Sequence, residues 1–325
     1  MSRPVALDAL GGDHAPRETV AGALLAAAAG VPVVLVGDEE RLRRELAEQG
    51  GELPVVHAPE VIEMHAPATE VRRRRQASIN VAMRLVKEGE AEAAVSMGHS
   101  GATMAAALFV LGRIPGFERP AILAEIPSAA PSGRVHLIDA GANADVRPQH
   151  LEQFARLGAA YAERMSGVAR PRVGLLSIGE EASKGNQLVL EAHPLLAASG
   201  LNFVGNVEGR DVLADVADVV VTDGFTGNVV LKLAEGEARI LFGWIKEALS
   251  GSLKARLGAL LVRDALKSLA ARMDPAEYGA MPLLGVRGPA FIGHGASERR
   301  AVRNALLRAH KMAGSGLMDA LSGVE

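Results

Sequence analysis

The chain has 325 residues, of which 49% are hydrophobic and 3% aromatic, so it can bury the core of one large α/β domain or two smaller ones. Its 35 basic and 38 acidic residues leave a net charge of -3, whereas dedicated nucleic-acid binders usually carry a basic excess and aromatic stacking platforms. The absence of cysteine excludes thiolate nucleophiles, disulfides and cysteine-ligated metals. Because the chain lacks a basic excess and is poor in aromatic residues, we expect no nucleic acid among the partners.

The amino-terminal sequence carries no sign of a signal peptide, since strand-like residues begin at Pro4. The uncharged stretch 20–37 is divided by Gly30-Val31-Pro32, whereas a bilayer-spanning helix needs about 20 continuous apolar residues. We interpret this stretch as a helix end, a turn and a buried strand. The sequence thus predicts a cytoplasmic protein.

Short, branched apolar runs that end abruptly in glycine and a polar cluster recur along the chain. They occupy residues 5–9, 93–97, 135–139, 173–178, 219–222 and 291–292. Near-continuous apolar strands are typical of parallel sheets that helices cover on both faces. The pattern predicts a three-layer α/β fold with a mostly parallel sheet, as a single catalytic domain over residues 1–325. Because ligands of such sheets bind at the carboxyl ends of the strands, we expect the turns to form the active site.

Helical spacing of apolar residues separates these strands. Pro16 suits the first turn of a helix, and further helices are predicted over 41–49, 69–87, 103–111 and 149–164. The predicted helix 69–87 carries four consecutive arginines, 72–75. Such a run is most often a solvated helix face, and contact with an acidic partner is the alternative.

The segment 235–273 departs from the alternation of strands and helices, because it shows helical periodicity and no strand signal. We predict a protruding helical pair here. The first apolar stripe includes Trp244, and the second contains Leu253, Leu257, Leu260 and Leu261, flanked by Lys254, Arg256, Arg263 and Lys267. Dimerisation, substrate entry and contact with an anionic membrane surface are the functions that such a pair serves.

The first candidate site is the turn Gly11-Gly12-Asp13-His14, which joins a strand to a helix. Two glycines allow a sharp turn and close approach of a ligand, and free N–H groups at the helix start favour an anion. His14 can bind that anion or move a proton. A tight turn with a capping aspartate is the structural alternative.

The second candidate is the loop that carries Lys184 and Gly185 after a buried strand. A lysine ammonium is a compact, mobile charge that suits a phosphate or an oxyanion. A surface pair with Glu180 or Glu181 is an equally good interpretation of Lys184.

A third group of turns places small polar residues where helices begin. Asn228 is a candidate to orient a phosphate or a carbonyl, although Thr226 and Asn228 also suit helix capping. We assign further substrate or phosphate contacts to Ser100, Gly101, Asn143, Asn206 and Asp223. Several of these residues are expected to be structural instead.

Sequence motifs of other enzyme classes are absent. Gly293-His294-Gly295-Ala296-Ser297-Glu298 lacks the third glycine of a dinucleotide-binding fingerprint, which argues against a nicotinamide-dependent dehydrogenase. The chain has no phosphate-binding Walker loop, no Gly-x-Ser-x-Gly elbow and no zinc helix. Since the nine histidines lack ligand spacing, we predict neither a metal nor a cofactor.

Taken in order, the turns resemble those of the bacterial phosphate acyltransferase family (PlsX type), which makes acyl phosphate from acyl-acyl carrier protein and inorganic phosphate. The resemblance runs nearly end to end and is carried by residues 6–16, 113–116, 173–186, 203–211, 217–232 and 282–285. Two departures exist. The chain has Gly98-His99-Ser100-Gly101 where the family often has Gly-Asn-Thr-Gly, and its acidic run before Lys184 is short.

The resemblance implies a fold like that of phosphotransacetylase and isopropylmalate dehydrogenase, a homodimer and peripheral membrane association through 235–273. It places His14, Lys184 and Asn228 in the active site. It also implies acyl carrier protein and inorganic phosphate as substrates, and a membrane glycerol-3-phosphate acyltransferase as a partner in phospholipid synthesis. A dehydrogenase of the same broad fold and a non-catalytic phosphate-binding membrane scaffold are the alternatives.

Overall fold

The computed structural model describes residues 3–323. Strands β1 to β11 span Val5–Asp8, Val33–Gly37, Val55–His57, Ala93–Ser96, Ala121–Pro127, Arg134–Ile138, Arg172–Ser177, Asn202–Glu208, Val219–Val221, Ala280–Leu284 and Ala290–Gly293. Helices α1 to α12 span Arg17–Ala28, Glu39–Glu48, Ser78–Lys87, Ser100–Ala106, Pro148–Ser166, Gln187–Ala198, Gly224–Ser250, Leu253–Leu261, Arg263–Met273, Pro275–Tyr278, Arg299–Ala313 and Leu317–Ser322. Every predicted strand is present, whereas β3, β5, β8 and β10 were not predicted.

The strands form one sheet in the order β3-β2-β1-β4-β11-β10-β5-β6-β9-β7-β8. Strands β3, β2, β1, β4 and β11 are parallel to one another, and so are β6, β9, β7 and β8. Between these two blocks lie three antiparallel pairings, β11 with β10, β10 with β5, and β5 with β6. The two parallel blocks therefore run in opposite directions.

Helices cover both faces of this sheet, which confirms the predicted three-layer, mostly parallel architecture. Side chains along β1 alternate between the two cores, with Val5 and Leu7 on one face and Ala6 on the other. The first core contains buried residues of α1, α2, α5, α6 and α11, and the second contains those of α3, α4 and the start of α7.

The prediction of one continuous helix over 69–87 is wrong for the first half of this segment. Residues Ala68–Arg72 form one short 3-10 helix, and α3 begins only at Ser78. Asn80 explains the break, because its buried side-chain amide donates to the carbonyl oxygens of Val71 and Arg74, both at 2.8 Å. The four arginines 72–75 thus lie on a fixed loop rather than on a helix face.

The predicted helical pair 235–273 is a set of three helices, α7, α8 and α9. Helix α7 starts at Gly224 inside the sheet layers, and a bend at Val262 divides the second predicted helix. Helices α8 and α9 have no buried residue, and Leu253, Leu257 and Leu261 are 80%, 60% and 89% exposed. No helix within residues 3–323 combines the length and apolarity needed to cross a bilayer.

Candidate active site

A groove of about 1020 Å³ opens where β10 and β5 diverge. These strands pair only through Leu283 with Ile122 and Leu284 with Ala121, after which β5 continues beside β6 alone. Strand β5 and helix α7 line the groove together with the turns after β4, β6 and β11. Its apolar lining includes Ile122, Leu123, Ala124, Ile126, Leu231, Phe242, Met273, Met281 and Ile292. An extended apolar lining with a few polar groups is typical of a small-molecule site.

Asn228 lies on the groove in the second turn of α7. Asp223 caps this helix, since its carboxylate accepts from the Thr226 backbone N–H at 2.8 Å and from the Thr226 hydroxyl at 2.7 Å. A Cβ on Gly227 would lie 1.8 Å from the Asp139 carbonyl oxygen, so only glycine lets α7 approach so closely. This packing brings Asn228 beside Gly141, while its exposed carboxamide keeps no hydrogen bond to any residue within 3–323.

Asp139 organises the turn after β6 on which α7 packs. Its buried carboxylate accepts five hydrogen bonds, from the backbone of Ile122, Gly141, Ala142 and Asn143 and from the side chain of Asn143, at 2.8–3.1 Å. Burial raises the pKa of Asp139, and the five donors oppose it by favouring the ionised form. Asn143 donates its second amide proton to the carbonyl oxygen of Pro120 at 2.8 Å. Asn143, like Asp223 and Thr226, thus uses its side chain to hold the turns.

The loop after β7 presents Lys184 to solvent. Its backbone is held by the Ser177 hydroxyl and by the Asn206 amide, which donates to the carbonyl oxygens of Glu181 and Lys184 at 2.8 and 3.3 Å. Asn206 is 6% exposed and lies within β8, and its side-chain NH₂ group holds the loop in position. No ion pair joins the Lys184 ammonium to Glu180 or Glu181 in the structure of residues 3–323.

Gly185 gives this loop its shape. Its φ is +127°, and a Cβ would lie 2.6 Å from Cγ1 of Val189. Strand β9 pairs with both β6 and β7, so the Lys184 loop and the Asn228 turn share one edge of the sheet. Lys184 does not, however, line the groove.

The turn after β1 belongs to the first parallel block and contacts the turns after β4 and β11. Gly12 has a φ of +109°, and a Cβ there would lie 3.1 Å from the Met97 carbonyl and 3.2 Å from that of Gly295. The Asp13 backbone donates to Gly295 at 2.8 Å. Gly11 packs on Asp8. The buried carboxyl group of Asp8 accepts a hydrogen bond from the Ser96 hydroxyl at 2.7 Å, and burial raises the pKa of this group. Gly11, Gly12 and Asp13 therefore shape the turn.

The departure at His99-Ser100 has a structural explanation. His99 caps α4, because its Nδ1 accepts from the Ala102 backbone N–H at 3.0 Å, as an asparagine side chain would. A Cβ on Gly101 would lie 2.9 Å from the His99 ring. Ser100 lines the groove, and its hydroxyl forms no hydrogen bond within the described chain.

His14 lines a second, smaller pocket of about 460 Å³ with Arg17, Glu18 and Arg299. The Arg299 guanidinium is already committed to Glu18, with which it forms hydrogen bonds of 2.9 and 2.5 Å that lower the pKa of Glu18 to about 2. Glu298 borders both this pocket and the groove. The imidazole of His14 is exposed and forms no hydrogen bond to the part of the chain that the structure describes, so it is free to meet a ligand.

One charged cluster at the groove was not predicted. Glu125, which interrupts the apolar run 121–127, is 3% exposed in its side chain and pairs with Arg134 and Arg308. The Tyr161 hydroxyl donates to Glu125 at 2.9 Å and accepts from Arg308 at 2.9 Å. Burial raises the pKa of Glu125, but the charges of Arg308, His136 and Arg134 outweigh it and lower the pKa to about 2. The sequence feature that could have indicated this cluster is Glu125 itself, a single carboxylate in an otherwise apolar strand.

The predicted site residues thus fall into three places. The structure brings Ser100 and Asn228 onto one groove, with Gly141 beside them. His14 borders an adjacent pocket, and Lys184 lies at the same edge as Asn228 but outside the groove. Of the three predicted catalytic side chains, Asn228 lines the groove, His14 lines the smaller pocket, and Lys184 lines neither.

The chain has the α/β fold of solved phosphotransacetylases. A phosphotransacetylase from Streptococcus pyogenes superposes with a TM-score of 0.64 at 17% identity, covering 96% of this chain and 94% of the other. At that identity the likeness shows the fold alone.

The chain belongs to the fatty acid synthesis protein family, whose sequence model matches residues 4–320. A phosphate acyltransferase of Thermus thermophilus is 65% identical over 315 residues, which cover 97% of this chain and 96% of the relative. The phosphate acyltransferase of Deinococcus radiodurans is 60% identical over 279 residues, covering 84% of this chain and 77% of the relative. The family resemblance inferred from the turns is confirmed.

Proposed function

We propose that this protein is a phosphate acyltransferase that converts acyl-acyl carrier protein and inorganic phosphate into acyl phosphate for phospholipid synthesis. The observation that carries the proposal is the apolar groove with free polar groups, Asn228 and Ser100, in its wall. An acyl chain fits such a lining, and uncommitted hydrogen-bonding groups suit the carbonyl and phosphate that must meet beside it. The activity in the names of the relatives favours the same reaction over the two alternatives.

In this reaction a phosphate oxygen attacks the thioester carbonyl carbon, a C–O bond forms, and the C–S bond then breaks. The carrier thiolate leaves and takes up a proton from solvent or from a protein group. Phosphate is already anionic at neutral pH, so the protein needs to position it rather than to deprotonate it. Orientation of the two reactants contributes up to about 7–11 kcal/mol of barrier lowering.

Lys184 and Asn228 supply the groups that this step requires. We assign phosphate to the Lys184 ammonium, which no carboxylate of the described chain neutralises, and a hydrogen bond to the carbonyl oxygen or phosphate to Asn228. A single donor to the developing oxyanion contributes about 3–4 kcal/mol. His14 binds phosphate or moves a proton from its neighbouring pocket.

The acyl chain lies along α7 in this proposal. The helix rises about 1.5 Å per residue, so its lining from Asn228 to Phe242 extends for about 21 Å. The groove is thus long enough for an extended fatty-acyl chain whose thioester lies at the Asn228 end.

Release of carrier thiol from acyl-acyl carrier protein in the presence of inorganic phosphate tests the proposal. We expect thiol release that depends on phosphate, with acyl phosphate formed in equal amount. Absence of thiol release, with phosphate binding retained, would favour the non-catalytic scaffold. Saturable binding of NAD, followed through the fluorescence of Trp244, would favour the dehydrogenase.

Helices α8 and α9 offer a surface for a membrane or for a second subunit, and we propose that one of these covers their leucines. The exposed leucines are flanked by Lys254, Arg256, Arg263 and Lys267, which suits an anionic lipid surface. Leu257→Glu separates the two cases, with flotation on anionic vesicles and sedimentation measured together. Loss of vesicle binding by a persisting dimer supports lipid contact, and dissociation of the dimer supports a subunit interface.

A further inference from the structure

The loop before α3 carries a concentrated positive charge on the surface, and the proposed catalytic site does not use it. Arg72, Arg73, Arg74 and Arg75 are joined there by Arg84 from the second turn of α3. We call these five side chains the arginine patch. Within residues 3–323 its one ion-pair partner is Glu70, which lies 3.6 Å from Arg73 and 3.5 Å from Arg74. Arg72, Arg75 and Arg84 have no ion-pair partner among those same residues, in a protein whose net charge is -3.

Hydrogen bonds hold the backbone and two of the side chains of the arginine patch in place. The buried amide of Asn80 holds the backbone from below by its two 2.8 Å hydrogen bonds. Arg84 donates to the Arg75 carbonyl at 2.7 Å, and Arg74 donates to the Val61 carbonyl at 3.0 Å. A preordered set of cations loses less conformational entropy when it meets a partner.

An exposed aromatic ring belongs to the same surface. Phe109 is 49% exposed, and the Arg72 guanidinium lies 4.1 Å from its ring centroid. Arginine and aromatic side chains are the residues that most often dominate binding energy at protein interfaces. A membrane would instead be expected to contact the exposed leucines of α8 and α9.

The patch lies beside the groove. The short helix Ala68–Arg72 packs on the first turn of α4, where a Cβ on Gly101 would lie 3.4 Å from Cβ of Ala68. Ser100 of that turn lines the groove. A partner bound to the arginines therefore sits next to the site where a thioester would react.

We propose that the arginine patch and Phe109 dock the carrier protein that delivers the acyl thioester, through an acidic helical face of that carrier. This inference rests on the proposed function, because it names the docking surface of its acyl donor. Charge complementarity of this kind speeds association and orients the partner, and salt weakens it.

The test compares two acyl donors, acyl-acyl carrier protein and the small thioester acyl-pantetheine, with the double variant Arg72→Glu/Arg75→Glu. We expect the KM for the carrier-bound donor to rise about tenfold or more, with kcat and the rate on acyl-pantetheine unchanged. The matched control is Arg43→Glu/Arg44→Glu on α2, which packs on the opposite face of the sheet. This control reverses the same number of charges and should leave both donors unaffected.

An unchanged KM for the carrier-bound donor would overturn the proposal, and so would an equal loss with both donors. Binding of holo-carrier protein to an immobilised enzyme gives a second measurement that needs no turnover. If only the patch variant loses binding to holo-carrier protein, docking at the patch is supported. Absence of thiol release by the wild type would refute the proposed reaction, and it would leave this binding result unaffected. Loss of binding to phosphatidylglycerol vesicles with carrier binding retained would identify the patch as a membrane contact instead.

Discussion

The two parallel blocks of the sheet use the same kind of turn sequence in different ways. At the edge formed by β6, β9 and β7, Asp139, Asp223 and Asn206 hold the turns, and Lys184 and Asn228 stay free of partners within the described chain. In the block of β1, β4 and β11, the turns hold one another through backbone contacts, and Glu18 neutralises Arg299. Among the side chains of these turns, His14 and Ser100 form no hydrogen bond within residues 3–323. Polar side chains without a partner, rather than glycine-rich turns as such, therefore mark where chemistry is available.

The strongest test of this difference is Lys184→Ala. We expect turnover to fall about 10²–10³-fold, the loss that follows removal of one charge-stabilising donor. The melting temperature should stay within error of the wild type, because the ammonium has no partner within the described chain. His14→Ala, in the other block, should cost less. If the two variants lose the same activity, the two blocks contribute equally and the distinction between them fails.

The close approach of α7 to the Asp139 turn is tested by Gly227→Ala. The added methyl group would lie 1.8 Å from the Asp139 carbonyl oxygen, so the helix must move away. We expect a loss of about 3 kcal/mol or more in the free energy of unfolding, measured in urea, together with loss of activity as Asn228 shifts. Gly243→Ala in the same helix is the matched control, because a Cβ at that position meets no atom of residues 3–323 within 4 Å apart from its chain neighbours and the adjacent backbone of its own helix. That control should stabilise the protein by about 0.5–1 kcal/mol.

A third test addresses the charged cluster between the blocks, where Glu125→Gln removes the titrating group. The pKa of Glu125 is about 2 in the folded protein and about 4.5 without the fold, so its contribution is complete above pH 4.5 and is lost as the pH falls towards 2. The pKa difference corresponds to about 3 kcal/mol. Urea unfolding of both proteins should show a stability gap that narrows below pH 4.5. A gap that is independent of pH would show that Glu125 carries no such linkage.

Local sequence predicted the elements of the site well, because strand and helix signals are local. The apolar runs before Gly11, Gly141 and Gly179 are strands, and the polar residues that follow them lie in turns or helix starts as expected. The helix over 69–87 failed where a single buried side chain, Asn80, draws the backbone carbonyls of Val71 and Arg74 out of helical geometry. That competition between side chain and backbone is not visible in hydrophobic spacing.

The amino-acid sequence was sufficient to predict a three-layer α/β protein of an acyl-transferring family, because apolar periodicity and glycine-rich turns are local features of the sequence. Only the tertiary structure decided which polar residues are free. Asn143 and Asn206 are as polar as Asn228, but burial commits their amides to backbone carbonyls, whereas the packing of α7 leaves Asn228 facing the groove. The reversal of strand direction around β10 and β5 also places His14 and Lys184 in blocks that run in opposite directions. Such reversals follow from long-range pairing, which no local pattern specifies.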